Sequence, residues 1–236
     1  MLSKGDKWGY GLSGACVILI ALVAIAKGHF DRAPKPGSDN CVGVATRNTV
    51  VLLDHSESVS EQTREEIVAR TMRHILEHVE INERVSIFTV SELSKRRLKP
   101  LVALCRPPAE GSRVTESLAL IKRRFQANFE KPVREALMSP IPGSKESPIA
   151  QAVTDVSLSQ YLRGEANSLL VFSDMLEHTP RFSLYNCHQP AQAVQRYREA
   201  VKGTKERPTF RNTAVSIHFI PRTDLSRDVL KCRDVF

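Results

Sequence analysis

Aromatic residues are scarce in this chain: they make up 6% of it, with one Trp and four Tyr. No basic stretch is regularly interleaved with them and no nucleic-acid-binding fingerprint accompanies the basic runs, which argues against DNA or RNA as a partner. Also missing are G-x-x-x-x-G-K-[ST] and G-x-S-x-G, so the commonest nucleotide-binding and serine-hydrolase readings fall away. There is no His/Cys spacing that suits zinc. No repeat recurs at a fixed period, and no segment is so low in complexity that it must be disordered. Acids are the minority charge, 26 against 34 Lys and Arg, for a formal net charge of +8. The surplus lies in "SKRRLK" (Ser94 to Lys99), in "IKRRF" (Ile121 to Phe125) and in the last forty or so residues. Such runs read first as solvated faces, and next as surfaces attracted to anionic lipid headgroups.

What is present suffices for a folded body: 236 residues with 42% hydrophobic content can bury one sizeable core, so one main domain is expected. Ahead of it, "GYGLSGACVILIALVAIA" (Gly9 to Ala26) carries no charge over about 18 residues, near the lower limit for a membrane-spanning helix. Trp8 and Tyr10 stand where an aromatic belt would form. A cleaved signal peptide is the competing reading, because Lys4 and Lys7 form a basic leader, but Ala-Ile-Ala-Lys ending at Lys27 is a poor cleavage site. The expected layout is a short leader (1–8), a transmembrane anchor (9–27), a linker (28–45) containing the Pro/Gly/Ser-rich "HFDRAPKPGSDN", and a domain (46–236). Lys4 and Lys7 on one side of the anchor nearly balance Lys27, Arg32 and Lys35 on the other. The shortness of the leader favours export of the body. Outside the anchor, Cys41, Cys105, Cys187 and Cys232 are even in number, which permits one or two disulfides. Spacing does not say which sulfurs meet, and buried free thiols remain the alternative.

Within the body, short aliphatic runs alternate with stretches of helical period. Strands are expected at Thr49–Asp54, Arg84–Val90, Leu101–Cys105, Ser168–Asp174 and Thr213–Pro221. Helices are expected at Glu61–Glu80, where Ile67, Thr71, Ile75 and Val79 form one stripe, at Arg113–Met138 broken near Pro132, at Ser147–Leu162 and at Pro190–Val201. Strands separated by helices imply crossover connections and a doubly wound, mainly parallel α/β sheet covered on both faces. Ligands of such sheets bind beyond the carboxyl ends of the strands, where the strand order reverses.

One such end is conspicuous: "NTVVLLDHSESVSEQ" leaves its strand through Asp54, Ser56 and Ser58, a D-x-S-x-S pattern that can aim three oxygens into one crevice. Oxygen donors of this kind suit a hard cation, Mg²⁺, Mn²⁺ or Ca²⁺. A second strand ends in Asp174, and Ser147 opens a helix after the Gly-Ser loop, so both would reach the same sheet edge if their strands are neighbours.

These residues resemble the metal-ion-dependent adhesion site of von Willebrand factor A domains, whose pattern is D-x-S-x-S, then Thr, then Asp. "ESPIAQAV" is similar to the Thr-bearing loop with Ser147 in the Thr place, "VFSDMLEH" to the strand delivering the last acid, and "ERVSIFTV" to the family's second strand. The resemblance covers roughly Asn48 to Pro221. It implies that Ser56, Ser58 and Ser147 contact the metal directly and that Asp54 and Asp174 hold it through waters. It further implies that an Asp or Glu of a partner protein fills the open position. Hydroxyls and waters neutralise little of a divalent charge, which leaves the ion electrophilic. Two departures stand out: Ser replaces Thr at 147, with Ser144 as an alternative counterpart, and Met175 follows Asp174 where the family often has Gly.

Plainer roles compete for each residue. Ser58 with Glu61 has capping-box spacing, Ser147 can be an N-cap before Pro148, Asp54 and Asp174 can be loop acids bonded to backbone amides, and Glu57 a solvated side chain. His178 and His188, near Glu177 and Cys187, could form a transition-metal site but read first as polar surface. The leading functional expectation is a membrane-tethered interaction or scaffold module that binds an acidic residue of a partner through a divalent cation, with no catalysis. The alternatives are a metal-dependent phosphoester hydrolase, which would want a second acid two residues after Asp54 and more converging carboxylates, and a metal-free structural component of a membrane-associated complex.

Overall fold

β-Branched and aliphatic residues fill β1 (Arg47–Leu53), and its last six positions are all buried, which requires cover on both faces of the sheet. The chain supplies that cover. The structure, a computed structural model, describes residues 17–25, 35–54, 59–90, 98–110, 117–140, 144–203 and 207–235. After β1 come α1 (Glu61–His78), β2 (Arg84–Thr89), β3 (Val102–Cys105), α2 (Leu118–Phe125), α3 (Lys131–Met138), α4 (Ile149–Leu158), β4 (Ala166–Ser173), α5 (Pro190–Ala200), β5 (Thr213–Phe219) and α6 (Arg227–Val235). Short 3₁₀ turns follow α4 and precede α5.

The five strands form one sheet in the order β3-β2-β1-β4-β5. All neighbours run parallel except β3, which pairs antiparallel with β2. The chain therefore travels from β1 out through β2 and β3, then returns to the other side of β1 for β4 and β5. The reversal lies between β1 and β4, with Leu53 opposite Phe172 at their carboxyl ends.

Each strand sends alternate residues to opposite layers. Val51, Leu53, Val85, Ile87, Leu170 and Phe172 join the buried faces of α1 and α3 on one side. Val50, Leu52, Phe88, Leu169 and Val171 meet Ile149, Ala152 and Val156 of α4 on the other. The expected stripe on α1 is there: Ile67, Val68, Thr71, Met72 and Ile75 are buried. Its N-cap is Ser60, whose side chain accepts from Thr63 N, which replaces the capping role read for Ser58.

The break expected near Pro132 is a single π-helical turn, Gln126–Glu130, set between α2 and α3. Pro132 has no N–H to give Asn128 O four residues earlier. The side-chain amide of Asn40 donates to that oxygen instead, at 2.9 Å. Phe125 and Phe129, 5.5 Å apart, point from this stretch into the core, and the burial of Phe129 alone contributes roughly 2–3 kcal/mol.

Two disulfides pin the periphery. Cys41–Cys105 ties the segment before β1 to the end of β3, and Cys187–Cys232 ties the turn before α5 to α6. All four cysteines outside the apolar run are thus paired, in a connectivity that spacing left open. The second bridge sits in a small core of its own with Leu176, Phe182, Leu184, Ala193 and Val229. Neither this core nor α6 was expected from the sequence. The chain divides into two units, residues 1–36 and 37–236. In the first, residues 17–25 are helical, and the remainder of the apolar run, 9–16 and 26, lies outside the described residues. Among the described residues no helix is long and apolar enough to cross a membrane.

Candidate functional site

Asp54 is the first residue past β1, and its backbone N–H donates to Phe172 O at 2.8 Å, so the β1–β4 ladder carries it to the sheet edge in fixed register. Its side chain is 5% exposed. Two hydroxyls converge on one of its oxygens: Ser173 Oγ donates to Oδ2 at 2.7 Å and Ser147 Oγ donates to the same atom at 3.0 Å. Ser173 is the last residue of β4. Ser147 reaches across because its loop is stitched to the segment after β4: Ser147 N donates to His178 O at 2.8 Å, and His178 N donates back to Ser147 O at 2.9 Å. Ser144 takes no part there and accepts from Glu146 N.

Asp174 follows Ser173, so the second acid leaves the neighbouring strand one step beyond Asp54. Its Oδ1 accepts from Leu176 N at 3.0 Å, and its Oδ2 meets Arg222 Nη1 at 2.8 Å. The intervening Met175 adopts φ 57°, the left-handed region that glycine would enter without strain. Ser173 Oγ accepts from Met175 N at 2.8 Å and helps hold that turn. Arg222 comes from the end of β5, so three neighbouring parallel strands each contribute one charged residue to this edge. Its guanidinium also grips Asp224 with two bonds, at 2.8 and 2.7 Å, and lies 3.4 Å from Tyr185 Oη.

The charges here act on one another. Burial raises the Asp174 carboxyl above its ordinary value and the Asp54 charge adds to the rise, outweighing Arg222. Asp224, exposed, is drawn down to about 2 by its guanidinium hydrogen bonds. Glu177, 4% exposed, is pushed up to about 7, chiefly by burial and further by Asp54. Glu177 nevertheless accepts from Ala150 N at 2.9 Å and so receives the N-terminus of α4. Next to this network is a cavity of about 520 Å³, bounded by Asp54, Asp174, Ser60, Thr63, Arg222 and Asp224 among others.

Of the five residues expected to hold a cation, the fold thus brings Asp54, Ser147 and Asp174 together. Ser56 and Ser58 lie outside the described residues. The N-cap role for Ser147 is not what is found: Pro148 occupies that position, and the Ser147 hydroxyl is turned to Asp54. His178 bonds Ser183 Oγ through Nδ1. Among the described residues no group of three His, Cys, Asp or Glu side chains is placed to hold a metal. Ser173, Glu177 and Arg222 were not expected. Ser173 could have been found from its place beside Asp174, whereas Arg222 reads in sequence as one more basic surface residue.

The donor set present, two acids and the hydroxyl chemistry of Ser147, is of the kind a hard divalent cation takes. A hydroxyl that gives its proton to Asp54 keeps oxygen lone pairs for a cation. Arg222 supplies the opposing consideration, since its guanidinium already places positive charge on Asp174. No family model matches the chain, and no curated protein matches it in sequence.

Proposed function

We propose that this chain is a membrane-tethered protein-interaction module of von Willebrand factor A type, and that its carboxyl-end sheet edge binds an acidic residue of a partner through Mg²⁺ or Mn²⁺. The observation that carries the reading is the convergence of Ser147 on Asp54 at 3.0 Å beside Asp174, at the point where the strand order reverses. Asp54, Ser147 and Asp174 would hold the ion together with Ser56 and Ser58. When bound, the ion supplies an open coordination position for a carboxylate. Asp54 orients Ser147, the β1–β4 ladder fixes the spacing of the two acids, and the neighbouring cavity leaves space for an incoming side chain. The uncharged run Gly9 to Ala26 supports the tether, and two disulfides support an exported body, since such bonds persist in oxidising compartments.

The Asp174–Arg222–Asp224 network favours a second reading, a metal-free structural component in which Arg222 supplies the positive charge at the edge. The two separate on one experiment. The full chain in detergent is titrated with a fluorescent neutral peptide bearing a single Asp, in Mg²⁺ and in EDTA. Binding that requires Mg²⁺ and disappears in Asp54→Ala supports the cation reading. Binding indifferent to EDTA supports the metal-free one.

A further inference from the structure

α1 ends in a pair of histidines that no His/Cys pattern picks out: "HILEH", with His74 and His78 four residues apart. In a helix that spacing puts both side chains on one face, one turn above the other. Two histidines elsewhere are engaged in the fold: His178 bonds Ser183 Oγ, and His218 lies stacked on Phe172 with ring centres 4.6 Å apart. Neither ring of the α1 pair is hydrogen-bonded to a described residue.

The pair has the geometry of a chelate. Its ring centres are 5.0 Å apart and the planes are tilted by 59°, so the rings are not stacked and a nitrogen of each can turn toward one point. An ion held about 2.0–2.1 Å from one nitrogen of each ring, at the tetrahedral angle, sets the ring centres roughly 5 Å apart. The separation already present matches. The His78 side chain is 64% exposed and His74 is half-buried, which gives an ion access without rebuilding the core. Burial and the neighbouring His78 hold the His74 imidazole below its ordinary value, against the pull of Glu83 and Glu77, and so favour the neutral form that binds metal. Glu77 Oε2 lies 3.9 Å from His78 Nε2 and adds negative charge beside the pair.

We infer that His74 and His78 form a two-imidazole chelate for a transition-metal ion of the class that takes nitrogen donors, Zn²⁺, Ni²⁺ or Cu²⁺. Among the described residues no third His, Cys, Asp or Glu side chain completes a protein cage, so water would fill the remaining positions and no catalytic centre is assigned. Nitrogen donors separate this site from the sheet edge, whose oxygen donors suit Mg²⁺ and Mn²⁺, hard ions that imidazole holds weakly. An ion shared by the two rings ties residues one turn apart, and so stiffens the last turn of α1 where the chain leaves it for β2. The inference does not depend on a cation at the sheet edge.

The test titrates the full chain in detergent with Zn²⁺ by calorimetry, with and without excess Mg²⁺. One saturable equivalent is expected, of the same affinity in both conditions. It should weaken about tenfold or more in His74→Gln and in His78→Gln, because either change leaves a single ligand of the chelate. His78 is exposed, so His78→Gln keeps the test valid if His74→Gln impairs folding. Zn²⁺ should raise the thermal midpoint of the wild-type chain and not that of His78→Gln. The electron paramagnetic resonance of bound Cu²⁺ should show coupling to two nitrogens, reduced to one in the same variant. No Zn²⁺ uptake by the folded wild-type chain, displacement of Zn²⁺ by Mg²⁺, or an affinity in His78→Gln equal to the wild type would each overturn the assignment.

Discussion

Asp54 is the residue on which the sheet edge depends, because the Ser147 and Ser173 hydroxyls both spend their protons on one of its oxygens. Removing that acceptor strands two buried donors, each worth roughly 1–3 kcal/mol. Asp54→Ala should therefore lower the unfolding free energy by about 2–4 kcal/mol in urea titration, and Asp54→Asn, which keeps one oxygen, by less. An unchanged urea midpoint in Asp54→Ala would mean the contacts carry no weight. Arg222 makes the opposite prediction for ion binding: Arg222→Gln removes a cation that competes for Asp174, so Mg²⁺ affinity should rise several-fold. Glu177 sets a pH dependence. Its carboxyl titrates near 7 in the folded chain against an ordinary 4.5, so the folded state holds the extra proton. That contribution is complete below pH 4.5 and is lost as pH rises through about 7. Asp174, also raised, acts in the same direction. Unfolding free energy should fall from pH 5 to pH 8 by on the order of 2–3 kcal/mol, and Glu177→Gln should flatten the fall. Asp54, Ser147 and Asp174 were legible in sequence because an acid or hydroxyl just outside an apolar run has few structural reasons to be there. Arg222 and Glu177 were not, because their partners come from other elements: Asp174 lies 48 residues from Arg222, and the α4 N-terminus 27 residues from Glu177.

The strands were legible as elements because β1, β2 and β4 are apolar without alternation, the mark of strands buried on both faces. Their bounds moved by one or two residues. The antiparallel β3 was not legible, since direction depends on the connection and four residues carry no directional signal. The role of Pro132 was half legible: a missing N–H announces a break, but the π turn and the Asn40 amide that completes it depend on chain distant in sequence. The start of α1 shows how spacing can mislead. Ser58 with Glu61 matches a capping box, yet Ser60 occupies the cap. Ser60→Ala should cost about 1 kcal/mol of stability and leave Mg²⁺ binding intact, whereas Ser58→Ala should do the reverse. Paired urea and Mg²⁺ titrations of the two variants make the check, and a Ser58→Ala protein with full ion affinity would remove Ser58 from the site.

For the molecule as a whole, the two disulfides reinforce regions where the sheet gives least help. Cys187–Cys232 closes a separation of 45 residues around a small core at the periphery. In the chain-entropy account a loop of that size is worth up to about 4 kcal/mol, and the double variant Cys187→Ser/Cys232→Ser should lose roughly 2–4 kcal/mol. A thermal melt that does not shift on reduction would show the bridges to be dispensable. Their even number was legible, but their pairing was not, because it depends on where β3 and α6 end in space.

A cation at the edge shared by β1 and β4 is tested most directly by Mn²⁺ binding to the full chain, with free ion counted by electron paramagnetic resonance. The expected result is one site per chain, displaced by Mg²⁺, lost in Asp54→Ala and in Asp174→Ala, and tightened in Arg222→Gln. Mn²⁺ that stays entirely free beside a folded wild-type chain, or binding that survives both aspartate variants, would contradict it.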